Sequence, residues 1–381
     1  MPQTFLAKSE LSAEKLRRGL TERQLTMIAI GGAIGVGLFL GSSLTIQLAG
    51  PAVIVSYLIG AVIAGIVAYC LAEMAVVQPL SGSFGIYAET YVSRWAGFCV
   101  RVTCGLVQII AIGAEVTAVG IYFAFWFPHV SAWIWIAGVS LGLVVVNSLQ
   151  VANFGEFEYW FAAIKVLAIA AFIVIGFALI VGLGHGPAFG VRNLFAFGGF
   201  FPHGFHGVWL ALTLVVTGYM GVEVVAVTAG EATDPETSVP RAMRAILLRL
   251  LLFYGLAISI MLRLTPWNTL SAGGINGSPF VKAFASIGIP FSATILNAVV
   301  ITAALSSANT NLYLSTRMLY SLSRGRYAPE WLGGIGANGI PRYALAASAS
   351  GMIAAILLAV FAPRNAFLLL YGTAVAGMFF V

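Results

Sequence analysis

The sequence predicts an all-α polytopic membrane protein, built as an inverted five-plus-five helix repeat in which helices one and six are broken. Three observations predict it. The first is composition: of 381 residues, 60% are apolar and only 8% are charged, with a mean hydropathy of +0.98. A soluble domain carries roughly 25% charged residues, so a chain this poor in charge cannot cover a water-facing surface. The second is the recurrence of membrane-length apolar runs. The third is that two of those runs, five spans apart, are interrupted by glycine.

A spanning helix needs about 20 apolar residues. Ten runs qualify, at 25–46, 51–77, 97–127, 132–149, 159–183, 207–230, 242–264, 288–318, 343–362 and 366–381. Polar or Pro/Gly breaks separate them, among them "QPLSGS" at 78–83, "GHGP" at 184–187, "TDPETSVPR" at 233–241 and "SAGGINGSP" at 271–279. The expected organisation is a tail (1–24), a first five-helix repeat (25–183), an extracytoplasmic loop (184–206) and a second five-helix repeat (207–381). The last run reaches Val381 with no polar flank, so the chain is expected to be a fragment whose C-terminal spans are missing.

The first 24 residues carry eight charges and no small-residue cleavage site, and they read as a cytoplasmic tail rather than a removed leader. With that tail inside, fourteen Lys and Arg residues fall on the cytoplasmic side, against Arg192, Arg263, Lys282 and Arg364 on the other. The asymmetry orients the amino terminus in the cytoplasm. The net charge of +6 is thus a topological signal and no nucleic-acid footprint. Cys70, Cys99 and Cys104 lie in or beside apolar segments without metal-ligand spacing. His129, His185, His203 and His206 fall in outer loops without clustering. No cofactor or metal is expected, and no His or Cys pair within the spans supplies the nucleophile and base of an intramembrane enzyme.

Span one contains "GGAIGVGLFLG" at 31–41, five glycines in eleven residues. Two readings are open. Gly31 and Gly35, like Gly37 and Gly41, have the spacing of close helix packing. Alternatively the helix is broken, and its free N–H groups bind an anion. Span six contains "TGYMGVEVVAVTAGE" at 217–231, interrupted at Gly218, Gly221 and Gly230, with Glu223 inside it. Interruptions at matching places in two halves point to a transporter site at their interface. Five spans is an odd number, so the second repeat is inverted in the membrane relative to the first.

Charges inside spans are the next signal, since each costs about 3 kcal/mol at the helix centre and is usually functional. Lys165 is expected about one and a half turns past the start of span five, either functional or snorkelling to the interface. Glu115 in span three and Glu223 in span six are either neutral, hydrogen-bonded bundle residues or contacts for a substrate ammonium or a second proton. Glu73, Glu156, Glu158 and Glu231 sit near span ends, where exposure to water is expected. Ser306, Ser307, Asn309 and Asn311 of span eight are placed to face span one across a cavity.

"IAIGGAIGVGLFLGSS" followed by "AGPA" resembles the first span of bacterial amino acid permeases, of the amino acid–polyamine–organocation superfamily. The resemblance continues through "LAEMAVVQPLSGSFGIYA" at 71–88, "GEFEYWFAAIKVLAI" at 155–169, "GVEVVAVTAGEATDPETSVPRA" at 221–242 and "LSSANTNLYLSTRMLYSLSRGRYAP" at 305–329, covering residues 16–381. "AEVTAVGIYFAFWFP" at 114–128 is most similar to the proline and small neutral amino acid permeases.

The resemblance implies a LeuT-like fold, usually of twelve spans, in the cytoplasmic (inner) membrane. It implies an amino acid substrate whose carboxylate rests on amides near Ile34, Gly35, Val36 and Gly37, and whose ammonium meets carbonyls near Tyr219, Met220 and Gly221, with Glu115 a further candidate contact. Tyr219 is either an aromatic gate or a packing residue. The lysine of "IKVLAI", Lys165, would face the interrupted part of span one, replacing a sodium ion of related carriers. Burial disfavours a charged ammonium, so such a lysine can gain and lose a proton near neutral pH. The expectation is proton-coupled import of neutral amino acids, with Lys165 and Glu223 as the proton-coupling residues. Amino acid exchange and sodium coupling remain open alternatives. A channel would need a continuous polar stripe, and a sensor an added domain; neither is present in the sequence. The connections "EATDPETSVPR" at 231–241 and "RGRYAP" at 324–329 are expected to fix topology and contact membrane lipids, with a gating salt bridge between them conceivable.

Overall fold

The first apolar run does not form one continuous α-helix. In a computed structural model of the chain, α1 (Glu22–Gly32) stops, Ile34 is non-helical and Gly35 is a bend. A π-helical turn follows at Gly37–Gly41, and α2 (Ser42–Ala49) continues from it. Glycine at both ends of the π turn fits its wider, weaker backbone geometry. The structure describes residues 21–32, 34–79, 83–149, 151–183, 190–219, 223–270, 280, 292–336 and 338–378. Met220, Gly221, Lys282, His185 and residues 1–20 of the tail therefore lie outside the described residues.

The rest of the first half comprises α3 (Val53–Val77), the short α4 (Ser83–Tyr91), α5 (Arg94–Phe123), α6 (Ala132–Ser148) and α7 (Val151–Ile180). Ser93 caps α5 by accepting a hydrogen bond from the Ala96 amide at 3.1 Å. The second half opens with α8 (Gly204–Gly218) and α9 (Val224–Thr228). Next come α10 (Pro235–Arg249), a π segment (Leu250–Leu256) and α11 (Ala257–Leu264). The described chain then runs through α12 (Ser292–Arg324), α13 (Arg342–Ser348), α14 (Ser350–Phe361) and α15 (Ala366–Met378). Helix six, like helix one, is discontinuous where described: α8 ends at Gly218 and α9 begins at Val224.

Two boundaries differ from expectation for identifiable reasons. Span seven, expected from 242, begins as helix at Pro235, because proline at a first helical position has no N–H to leave unsatisfied. Asp234 supports that start by accepting from the Thr237 hydroxyl at 2.6 Å. Span five, expected from 159, begins at Val151, and its acidic "GEFE" stretch at 155–158 is carried inside the helix between Phe154 and Tyr159.

Burial separates central helices from peripheral ones. In the most apolar stretches of Arg94–Phe123 and Thr294–Arg324, 72% of residues are buried, against 28% for Phe154–Ile180. Helices α5 and α12 are therefore the core of the bundle and pack on each other more extensively than any other described pair. On the periphery Ile66, Leu167 and Val174 are largely exposed, as suits a lipid-facing flank. Among the described residues, five helical stretches are long and apolar enough to cross a membrane. Close approach is bought by glycine at one crossing: a Cβ on Gly351 of α14 would lie 1.8 Å from the Ile109 carbonyl oxygen of α5. Polar ties between helices add to this, as in Ser56 of α3 donating to the Val208 carbonyl of α8 at 2.9 Å.

Candidate functional site

The end of α1 leaves carbonyls without helical partners. One of them, on Ile34, accepts a hydrogen bond from Lys165 Nζ at 3.1 Å. Lys165 is fully buried on α7, fourteen positions beyond Val151, and so about four turns inside the helix. The expected one and a half turns counted from an apolar boundary that the helix overruns. The side chain does not snorkel. It also donates to Ser306 Oγ of α12, at 2.7 Å.

The amide side of the same break faces a carboxyl group. Ser307 of α12 donates to Glu115 Oε1 of α5 at 2.7 Å, and the Val36 backbone amide donates toward the same carboxyl. Glu115 Oε2 is buried without a hydrogen-bond partner. Gly35 sits directly against this pair: a Cβ there would lie 2.7 Å from Ser307 Oγ and 2.8 Å from Glu115 Oε1. Glycine at 35 thus lets α5 and α12 bring polar side chains onto bare backbone. Of the expected amides, Ile34 and Val36 are fully buried, and Gly37 is half-buried.

Two acidic residues expected in water are fully buried instead. Glu158, on α7, accepts from the Ser306 hydroxyl through Oε1 and from Asn309 Nδ2 through Oε2 at 2.9 Å. Asn309 Oδ1 in turn accepts from Asn147 Nδ2 of α6 at 2.6 Å. Glu231, just beyond α9, pairs with Arg317 of α12 through two parallel contacts of 2.9 and 3.2 Å. The guanidinium stands 4.0 Å over the Tyr313 ring, which stacks on Phe154. Burial is possible in both cases because each oxygen is matched by a donor from a neighbouring helix. Glu156 and Glu73 are exposed; Glu156 lies 3.7 Å from Arg23. Of the α12 polar residues, Ser306, Ser307 and Asn309 are buried, while Asn311 is half-buried.

The second interruption meets the first. A Cβ on Gly37 would lie 3.6 Å from the Gly218 Cα, so the two interrupted helices touch backbone to backbone. Tyr219 is buried, and its hydroxyl donates to the Tyr57 carbonyl at 2.7 Å. Tyr254, from the π segment, donates to the Gly218 carbonyl at 2.8 Å and packs edge-on against Tyr219. Tyr371 of α15 places its hydroxyl 2.6 Å from where a Gly41 Cβ would stand. Glu223 faces Gln108 of α5, accepting from its Nε2 at 3.5 Å.

The structure therefore gathers Ile34, Gly35, Val36, Glu115 and Lys165 around one break, with Gly37, Gly218 and Tyr219 alongside. Sequence reasoning missed Glu158, Asn147, Tyr57, Tyr254 and Tyr371. Glu158 carried a usable signal: it is seven residues before Lys165, hence on the same helix face two turns away. "RGRYAP" is held through Tyr327, which donates to Glu89 at 2.9 Å beside the buried Arg101–Glu89 pair. "EATDPETSVPR" is held through Arg241, ion-paired with Glu22 at the start of α1.

A family model described as amino acid permease matches residues 24–381. Among curated proteins, the uncharacterized amino acid permease YtnA of Bacillus subtilis is 42% identical over 93% of this chain and 76% of its own length. The probable threonine/serine transporter YbxG of the same organism is 40% identical over 96% and 79%, and the aromatic amino acid transport protein AroP of Escherichia coli K12 is 38% identical over 98% and 81%. Among solved structures, a Na+-coupled sialic acid symporter superposes with a TM-score of 0.67 at 13% identity, covering 98% of this chain and 81% of that one. The nucleobase-cation-symport-1 transporter Mhp1 superposes at 0.57 and 15%, covering 94% and 77%.

Proposed function

The chain belongs to the amino acid permease family of multi-pass membrane transporters, and from that premise we propose that it imports a neutral amino acid together with protons, with Lys165 as the proton-binding group. The observation that carries the reading is the contact of the buried Lys165 ammonium with the Ile34 carbonyl at the break in helix one. A charged ammonium makes a strong hydrogen bond to that carbonyl and anchors the end of α1 to α7 and α12. Loss of the proton removes the charge and weakens the anchor, which couples proton release to movement of the interrupted helix.

The substrate carboxylate is assigned to the amides near Ile34, Gly35, Val36 and Gly37, at the positive end of the helical segment that follows. Glu115 already faces that position. Two carboxylates cannot share it in charged form, so Glu115 is read as a second proton site, neutral when the substrate is seated. The substrate ammonium is assigned to carbonyls near Tyr219, Met220 and Gly221, with Glu223 a more distant partner of the same helix. The names of AroP and YbxG specify aromatic amino acids and threonine or serine, all neutral, which supports a neutral substrate over a charged one. Proline and other small neutral amino acids belong in the same panel. The distribution of Lys and Arg supports a cytoplasmic amino terminus, and the cytoplasmic (inner) membrane is the location that the family resemblance implies.

The test is uptake of labelled L-phenylalanine, L-threonine, L-serine and L-proline into proteoliposomes, with and without an imposed pH gradient. An inward proton gradient is expected to raise accumulation of at least one of them, and Lys165→Ala to abolish that rise. Accumulation that follows a sodium gradient and ignores pH would overturn the assignment, as would a Lys165→Ala carrier that still concentrates substrate.

A further inference from the structure

Resting on the reading of Lys165 as the proton-binding group, we propose that Glu158 is the group that receives the proton from Lys165 and releases it toward the α6–α7 end of the bundle, with the Ser306 hydroxyl as the bridge. The three groups form one hydrogen-bonded line. Lys165 Nζ donates to Ser306 Oγ at 2.7 Å, and the Ser306 hydroxyl donates to Glu158 Oε1. All three residues are fully buried.

A hydroxyl between an ammonium and a carboxylate is a proton wire, because it donates and accepts at the same oxygen. As an Nζ–H proton passes to Oγ, the Oγ–H proton passes to Oε1. Lysine becomes a neutral amine, Glu158 becomes a neutral acid, and the serine is regenerated. Net charge in the bundle is unchanged, so the transfer needs no countercharge. The protonated Glu158 then gives its proton to water when that end of the bundle opens, and returns as a carboxylate.

Placement gives the transfer a direction. Glu158 lies seven residues nearer the start of α7 than Lys165, about 10 Å along the helix axis. The charge distribution assigns that end to the cytoplasm. The elements packed on α7 are α1, α6, the π segment, α11 and α12; α11 meets α7 at Gly176, three turns beyond Lys165, and its one charge, Arg263, lies in its last turn. Helix α1 brings the Ile34 carbonyl; its Arg23 is held at the exposed start by Glu156 and the Tyr159 ring. Helix α12 brings Ser306 and Asn309, and α6 brings Asn147, all neutral. Glu115 on α5 is a further charged neighbour, which stands on the other side of the break and acts on Lys165. Asn309, held by Asn147, orients the second Glu158 oxygen, so the carboxyl is fixed for transfer through Oε1.

Full-length protein in proteoliposomes separates this from a structural role. Two readouts are needed with an amino acid the wild type carries: uptake driven by an inward proton gradient, and exchange against the same unlabelled amino acid at equal pH, which needs no net proton movement. For Glu158→Gln, which keeps the Asn309 bond but cannot hold the extra proton, gradient-driven uptake is expected to fall at least tenfold while exchange stays within about threefold. Ser306→Ala, which breaks the wire and leaves both ends, is expected to show the same split, and Glu158→Asp is expected to recover part of the driven uptake. Gradient-driven uptake unchanged in Glu158→Gln or in Ser306→Ala overturns the relay. Equal loss of uptake and exchange in both variants also overturns it, in favour of a purely structural carboxyl. Lys165→Gln distinguishes the underlying reading: if it keeps gradient-driven uptake, the Lys165 assignment fails and the relay with it; if it loses the drive while both relay variants keep it, the relay alone fails.

Discussion

Two buried acid–base pairs meet at helix α12, which supplies Arg317 to one and the Ser306 bridge to the other, and they are built differently. Near its C-terminal half, Arg317 grips Glu231 directly, with two parallel bonds of 2.9 and 3.2 Å and an aromatic ring beneath. Three turns earlier, Ser306 stands between Lys165 and Glu158, accepting from the one and donating to the other. Arginine does not give up its proton in a protein, and its planar fork matches a carboxylate. Lysine does give up its proton when buried, and a bridging hydroxyl offers it somewhere to go. One pair is suited to holding the end of helix six against helix eight. The other is suited to changing charge state during a transport cycle. Burial and sign of charge alone do not tell these roles apart; the choice of base and the atom between do.

The largest expected effect comes from breaking the arginine pair. Arg317→Met leaves Glu231 buried without its partner and is expected to destabilise the folded protein by about 3–5 kcal/mol. Thermal unfolding of detergent-solubilised protein checks this, and adding Glu231→Gln is expected to recover most of the loss; a single variant as stable as wild type would dissolve the contrast. The lysine site is expected to respond in function rather than stability. Lys165→Arg keeps the charge but cannot release a proton, so gradient-driven uptake should fall at least tenfold, about 1.4 kcal/mol or more in the driven step. Full driven uptake by that variant would mean that the base need not titrate. The smallest effect is expected at the exposed Arg241–Glu22 pair, where Arg241→Gln should leave the unfolding temperature unchanged, because solvent screens such pairs. A clear drop there would show that the start of α1 is held from the α10 side more firmly than its exposure suggests.

Much of the architecture was legible because lipid imposes it. Membrane-length apolar runs, glycine in the first and sixth of them, and a lysine stranded inside the fifth are all visible without coordinates. Lys165 was legible because a charge inside a span has few innocent explanations. Glu158 was not, because the apolar run was started at 159 and the preceding "GEFE" stretch read as a water-facing flank. Its two oxygens are satisfied by Ser306 and Asn309, more than 140 residues away, and no local pattern announces that. Arg317 is hidden in the same way. By sequence it is one of the fourteen basic residues on the cytoplasmic side, but α12 runs on to Arg324 and buries it. The π turns at Gly37–Gly41 and Leu250–Leu256 were also hidden, since tertiary contacts such as Tyr254 to the Gly218 carbonyl select them rather than local propensity.

A pH-sensitive dye trapped inside proteoliposomes, read while an amino acid is added outside, shows whether Lys165 carries a proton across with the substrate. Acidification of the lumen is expected with wild-type protein, in step with uptake, and none with Lys165→Gln. Equal acidification by the variant, or wild-type uptake with no acidification and a dependence on sodium, would contradict it.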